Sequence, residues 1–440
     1  MSDQRAFTRR LFLQRGLAMV STVPTLPLFL QSSALAIDNP FDYRAGKAGD
    51  GDGDRILVIV QLGGGNDGLN TLVPYGDRAY YEARPQLAIA EADLHKFDRR
   101  DADGIGLHPA LTGLRELYDQ GLLGMCQGVG YPNPNRSHFK SMDIWHTANP
   151  QTDGQGAGWV GRYFDNACKG EPEPNLCVSI GQDAPLAVQG SRKVSPIAFE
   201  DERLFRWAGE DLHEDMGAAY QTINRKSPTD AFDSASAASF VMRTALDAQI
   251  ASDRIRAAAR SEPAVSYPST RLGRSLKLIG QMIGSGLGTR VYYADMGGFD
   301  THAGQAGRHA ALLRQFADAM RAFARDLKAQ GNADRVLTMT FSEFGRRVKQ
   351  NASGGTDHGT AAPMFLMGPM VRPGVHGRQP SLRELDGNGD LVYNVDFREV
   401  YTTVLENWLG VEGRAVLGRR FKAAPLLAPK LARVRNPRSG

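Results

Sequence analysis

Cysteine is scarce in this chain, three in 440 residues, so at most one intramolecular pair can form. Cys168 and Cys177 flank the loop-like stretch 169–174 and can close a local disulfide in an oxidising compartment. Cys126 lies in an apolar run and reads as a buried thiol. Excess charge is scarce as well. The formal net charge is +4, but residues 1–36 hold Arg5, Arg9, Arg10 and Arg15 against Asp3, which leaves the rest near +1. That balance excludes a nucleic-acid footprint over the folded part. The basic segment 414–438 lacks acidic residues and reads as a solvated tail. No apolar run is long enough to span a bilayer as a mature helix, since 17–30 is short and broken by Pro24 and Pro27. The triple glycine 63–65 lacks a P-loop lysine and the spacing of a dinucleotide fingerprint, so nothing points to a nucleotide or redox cofactor. There are no internal repeats and no long low-complexity segment.

What is present begins at the amino terminus. Thr8-Arg9-Arg10-Leu11-Phe12-Leu13-Gln14 resembles a twin-arginine export signal, a weakly apolar stretch follows, and Ala34-Leu35-Ala36 is a small-x-small cleavage site. The expected partner during export is the twin-arginine translocase, and the expected location is periplasmic or secreted, with no stable membrane span after cleavage. The organisation reads as a signal peptide (1–36), a linker (37–53), an α/β domain (54–430) and a basic tail (431–440). Within the linker and its boundary, the run Asp50-Gly51-Asp52-Gly53-Asp54 lacks the later glutamate of a calcium loop and reads as a solvated turn.

The continuous β-branched run 55–62 fits a strand buried on both faces, as in a parallel sheet. Further strands are expected at 122–129, 176–180, 290–296, 335–341 and 364–367. Helical spacing marks 111–120, 231–259, 269–283 and 397–409. Residues 305–329 form a long amphipathic helix, with Leu312, Leu313, Phe316, Met320, Phe323 and Leu327 on one stripe. Strand and helix alternate, so the fold class is α/β: a mostly parallel central sheet with helices on both faces. The less regular middle, about 159–288, reads as an inserted elaboration or cap.

The chemistry lies in loops beside these strands. Asp67 follows the first strand, Asp300 and His302 follow the strand at 290, and Glu343 follows the strand at 335. Asp357 and His358 lie in a Gly/Thr-rich loop ahead of the strand at 364. In an open α/β sheet, ligands bind at the carboxyl ends of strands. Carboxylates and imidazoles gathered there suit a divalent metal: Zn, Mn, Mg or Ca. Each residue also has a structural role open to it. Asp67 can cap a helix near Leu69, and Glu343 can pair with Arg346 or Arg347. A nucleophile is offered by Ser137, at a helix start after the strand at 122, where backbone amides favour an anion. Arg136 can clamp an anionic ester. Asn135 or Ser137 can instead simply cap that helix.

The segments 62–71, Asn135-Arg136-Ser137-His138-Phe139, Gly298-Phe299-Asp300-Thr301-His302, Phe341-Ser342-Glu343-Phe344-Gly345-Arg346 and Asp357-His358-Gly359 together resemble a known family. So do Asp396-Phe397-Arg398 and Trp408-Leu409-Gly410. The family is a group of twin-arginine-exported bacterial proteins known as domain of unknown function number fifteen-oh-one. The group is similar to a remote branch of the alkaline phosphatase and sulfatase superfamily, whose members hydrolyse phosphate or sulfate esters at a two-metal site. The resemblance implies an alkaline-phosphatase-like fold and metal ligation by Asp67, Asp300, His302, Glu343 and His358. It implies that Ser137, or a metal-bound water, acts as the nucleophile. Two departures stand out. Asp300 and His302 are more tightly spaced than the superfamily's pair, and Phe344 stands where a histidine would follow Glu343. Asp357 is the residue available to compensate. Cys126 lacks the Pro and Arg that formylglycine-type sulfatases need. The expected function is an exported metal-dependent hydrolase. The alternative is an exported binding or surface-assembly protein on a degenerate fold of this type.

Overall fold

The computed structural model describes residues 55–97, 104–168, 175–191, 193–194, 196–201 and 251–428. The export signal, the linker with its 50–54 run, the stretch 231–250 and the tail 431–440 lie outside the described residues.

Twelve strands are described, in chain order: β1 (Ile56–Leu62), β2 (Leu72–Val73), β3 (His95–Lys96), β4 (Gly106–Leu107), β5 (Leu123–Gly130), β6 (Cys177–Ile180), β7 (Ile197–Phe199), β8 (Val291–Met296), β9 (Val336–Phe341), β10 (Ala362–Met367), β11 (Gly374–His376) and β12 (Val395–Asp396). Nine of them form one sheet in the order β11-β5-β10-β9-β1-β8-β6-β7, with β12 also paired to β5. The remaining three, β2, β4 and β3, form a small separate sheet. β1 lies at the centre, parallel to β8 on one side and β9 on the other. Its β-branched run fits this position because a strand covered on both faces has no polar side to alternate with.

Helices cover both faces, as expected. α1 (Arg78–Ala83) packs beside the small sheet, and α2 (Thr112–Asp119), α3 (His138–Thr147), α4 (Trp159–Ala167), α5 (Arg271–Gly284), α6 (Gln305–Ala329), α7 (Phe397–Thr403) and the short α8 (Gly413–Leu417) pack against the large one. Ile56, Val58, Val60 and Leu62 of β1 pack with α2, α5 and α6 in one core. Leu57 and Ile59 pack with α3, α4 and α7 in the other. This is the period-2 alternation of a strand between two layers.

Three features differ from the sequence reading. First, β10 runs antiparallel to both of its neighbours, β5 and β9. A loop that precedes a reversed strand emerges at the carboxyl edge of the parallel ones. That reversal, and not a uniformly parallel sheet, brings 357–358 to the same edge as the loops after β1, β8 and β9. Second, the middle region supplies β6, β7, α4 and α5 to the central sheet and both cores. Its described residues are thus part of the sandwich, because their short apolar runs pair with the free edge of β8. Third, Cys168 and Cys177 are free thiols and not a pair, while Cys126 is the buried thiol expected. Cys177 opens β6 with its side chain buried in the sheet core, while Cys168 sits at the end of α4. Burial pushes the Cys126 thiol up to about 12. No helix among the described residues is long and apolar enough to cross a membrane.

Candidate metal centre

The loops after β1, β8 and β9 meet because those strands are adjacent in the sheet. Gly64, at φ +113°, makes the approach possible: a Cβ there would lie 2.5 Å from the Asp300 amide nitrogen. From the far side, Glu343 reaches under the same loop, where its Oε1 accepts the Gly64 N–H at 2.8 Å. α3, which follows β5, presents His138 in its first turn. The loop before β10 presents His358.

Asp300 is the hub. Its Oδ1 lies 3.1 Å from His302 Nε2 and 3.2 Å from His358 Nε2, and its Oδ2 lies 3.5 Å from His138 Nε2. His302 Nε2 and His358 Nε2 are themselves 3.0 Å apart. The ligating atoms of His138, Asp300 and His358 all lie within 4.8 Å of one another, the spacing of a metal-holding set.

The opposite nitrogen of each ring is committed outward. His138 Nδ1 donates to Glu343 Oε1 at 2.7 Å, His302 Nδ1 to Asp357 Oδ1 at 3.0 Å, and His358 Nδ1 to the Arg136 carbonyl at 2.8 Å. A neutral imidazole has one N–H, so these bonds leave each Nε2 with its lone pair facing Asp300. Partners of this kind fix the tautomer and orientation of metal-ligating histidines. His138 Nε2 is buried and has no hydrogen-bond partner. Four acceptors facing one another repel unless a cation or added protons lie among them.

The electrostatics follow from these contacts. Burial acts to raise the Asp300 carboxyl, but the hydrogen bond and the charge of Arg346 outweigh it and hold it down at about 2. The Glu343 hydrogen bond raises the His138 imidazole, against the effect of burial. The Asn351 and His302 hydrogen bonds lower the Asp357 carboxyl. Arg346 is fully buried and donates to the carbonyls of Gly65, Thr356 and Phe299 at 2.8, 2.9 and 3.0 Å, to that of Gly64, and to Asp300 Oδ1 at 2.6 Å.

The expected residues divide into groups. Asp300, His302 and His358 come together. Glu343 and Asp357 stand one layer behind, where they orient His138 and His302. Glu343 does not pair with either neighbouring arginine, because Arg346 goes to Asp300 and Arg347 to Asp390. Asp67 stays apart from the cluster. Its side chain is fully buried, accepts from Arg84 Nη1 at 2.6 Å and from Gln305, and caps the short turn Gly68–Asn70. Ser137 occupies the N-cap of α3, is exposed, and makes no side-chain capping bond. Its N–H donates to Asn135 Oδ1 at 2.9 Å. The Arg136 guanidinium is held by Asp386 and Asp390.

His138 is the residue that sequence reasoning missed, although it adjoins Ser137. The available signal was its position: the first helical residue after a strand's carboxyl end projects into the mouth of the sheet. Phe344, the departure from the expected histidine, packs its ring 4.9 Å from His138 and 4.7 Å from His358. It supports the imidazoles instead of ligating. Glu343→Gln should leave the fold intact and weaken metal binding roughly 10–100-fold, as losses of outer partners do. Metal titration by calorimetry would check this, and an unchanged affinity would rule out the orienting role.

These features define a three-layer α/β protein with a histidine–carboxylate cluster at the carboxyl edge of its sheet. Residues 123–417 match the family described as Protein of unknown function (DUF1501), and the chain belongs to that family. No curated protein matches it. Similar solved structures include the C-terminal periplasmic domain of EcEptC from Escherichia coli in complex with Zn (10% identity, 74% of this chain and 76% of that one, TM-score 0.37). The PsFucS1 sulfatase from Pseudoalteromonas sp. is another (11% identity, 92% and 76%, TM-score 0.37). A third is a protein in the alkaline phosphatase superfamily from Vibrio parahaemolyticus (8% identity, 82% and 72%, TM-score 0.29). With TM-scores this low, none of these likenesses carries an argument about what this chain does.

Proposed function

We propose that this chain is an exported, metal-dependent hydrolase of phosphate or sulfate esters. His138, Asp300 and His358 would hold one divalent ion, with His302 beside it. The observation that carries this is the convergence of three Nε2 lone pairs on one carboxylate, each ring locked from behind. The charge count agrees. Asp300, Glu343, Asp357, Asp386 and Asp390 exceed Arg136, Arg346 and Arg347 by two negative charges, which one divalent cation balances. A set rich in imidazole favours Zn over Mn, Mg or Ca, which prefer oxygen-rich shells. When bound, the ion would polarise the ester oxygen and lower the pKa of water.

Ser137 is the side chain proposed to attack. Its hydroxyl is exposed and is not consumed by capping the helix. One observation favours the alternative of an exported binding protein: no described side chain hydrogen-bonds to the Ser137 hydroxyl as a base would.

The test follows the protein from export to turnover. Wild-type protein should be recovered outside the cytoplasm, while Arg9→Lys/Arg10→Lys should stay inside. Purified wild type should carry close to one metal ion per chain and hydrolyse a member of a phosphate and sulfate ester panel, with turnover lost in Ser137→Ala. Metal without turnover would favour the binding reading, and no metal would sink both the ion and the hydrolase.

A further inference from the structure

An open depression of about 350 Å³ lies in front of the histidines. Its lining comprises His302, Asp357 and His358 together with Arg136, Arg347 and Asn388. The two arginines come from different loops and share one brace, the fully buried carboxylate of Asp390. Asp390 Oδ2 accepts from Arg136 Nε at 2.7 Å and also from its Nη2, while Oδ1 accepts from Arg347 Nε at 3.1 Å. Asp386 Oδ2 accepts from Arg136 Nη2 at 3.2 Å, and the Asn388 carbonyl accepts from Arg347 Nη2. Asp386 Oδ1 accepts the backbone N–H groups of Asn388 at 2.8 Å and Asp390 at 2.9 Å, which folds 386–390 into a tight strap.

Each guanidinium is therefore held along its Nε and Nη2 side, and neither Nη1 has a partner among the described residues. The side chains remain 31% and 40% exposed. A guanidinium held along one edge has lost its rotamer freedom in advance and still offers donors on the other, the arrangement that suits a planar or tetrahedral oxyanion. Arg136 is also tied to His358, since its carbonyl takes the His358 Nδ1–H.

We propose that Arg136 and Arg347, braced by Asp390, form a seat for a tetrahedral oxyanion beside the histidines. The ligand is phosphate or sulfate, free or as the head of an ester. The assignment as an ester rests on the proposed hydrolase function, but the seat itself does not.

Calorimetric titration of purified protein with inorganic phosphate or sulfate, at constant ionic strength against chloride, tests the seat. Wild type should bind one of them. Arg347→Ala and Arg136→Ala should each weaken binding roughly tenfold or more. Arg347→Lys should recover only part, because an ammonium cannot reproduce the fork. Asp390→Asn should weaken binding through both arginines, and Arg347→Gln serves where the buried variant fails to fold. Metal content should not change in the Arg347 variants. Wild type that binds neither anion, or Arg347→Ala and Arg136→Ala that bind as wild type does, would overturn the proposal. Repeating the titration after chelation and with a p-nitrophenyl ester separates free anion from ester head. Arginine-dependent anion binding without any turnover would sink the hydrolase and leave the seat standing. Turnover with an unchanged KM in Arg347→Ala would do the reverse.

Discussion

Asp300→Ala is expected to empty the cluster of metal. Among the described residues, Asp300 is the side chain that touches all three imidazoles, and its carboxyl, held at about 2, is charged at neutral pH. Its loss should cost more than the roughly 10–100-fold seen for outer partners, because a direct ligand and a full charge disappear together. The fold should survive. Asp300 is 46% exposed on its side chain, and Arg346 keeps its four carbonyl acceptors. Elemental analysis should fall from close to one ion per chain to a trace. Added metal should raise the unfolding temperature of wild type and not of the variant, since only a ligand of the native state stabilises it. A variant that keeps its metal would remove Asp300 from the site.

The largest expected loss of stability comes from Arg84→Leu. Arg84 and Asp67 form an ion pair with both side chains at 0% exposure. Arg84 also donates to Asn70 Oδ1 and the Arg347 carbonyl at 2.8 Å and to the Val348 carbonyl at 2.9 Å. Removing the cation leaves a buried carboxylate without its counter-charge, which costs about 3–5 kcal/mol. Replacing both partners with leucine should recover much of that loss, because the lone charge is then gone.

The acid dependence has a definite sign. Burial acts to raise the Asp67 carboxyl, but the Arg84 charge and hydrogen bond outweigh it, so the group titrates below the usual carboxylate range. Its contribution is therefore full above the unfolded value of about 3.9 and is lost as pH falls through the lowered folded value. Denaturant melts at pH 7 and across the acid limb measure both effects. A loss under about 1 kcal/mol would mean that the pair contributes no more than a surface one. Metal content should be unchanged in Arg84→Leu, which separates this pair from the cluster.

Some elements were legible because their signal is local. α6 carries its apolar stripe in consecutive turns, and its bounds match the expected 305–329. β1 announces itself as a β-branched run because it is covered on both sides. Asp300, His302 and His358 were findable because each sits beside a strand end in a glycine-bearing loop. Other features depend on residues distant in the chain. Nothing near Asp67 shows that Arg84 and Gln305 will close around it. Nothing near Glu343 shows that His138, 205 positions away, will take its oxygen.

The sequence by itself determined the layers: which segments become strands and helices, which faces they bury, and which loops carry histidine and acid. Periodicity encodes these because each element's pattern repeats along its own length. Only the tertiary structure decided which acids stand at the centre, which stand behind and which serve the core. The reversal of β10 and the close packing of the 299–300 backbone against Gly64, where a Cβ would clash, set those roles. Ligation, orientation and ion pairing differ only in which partners surround a carboxylate, and those partners are set only once the sheet is assembled.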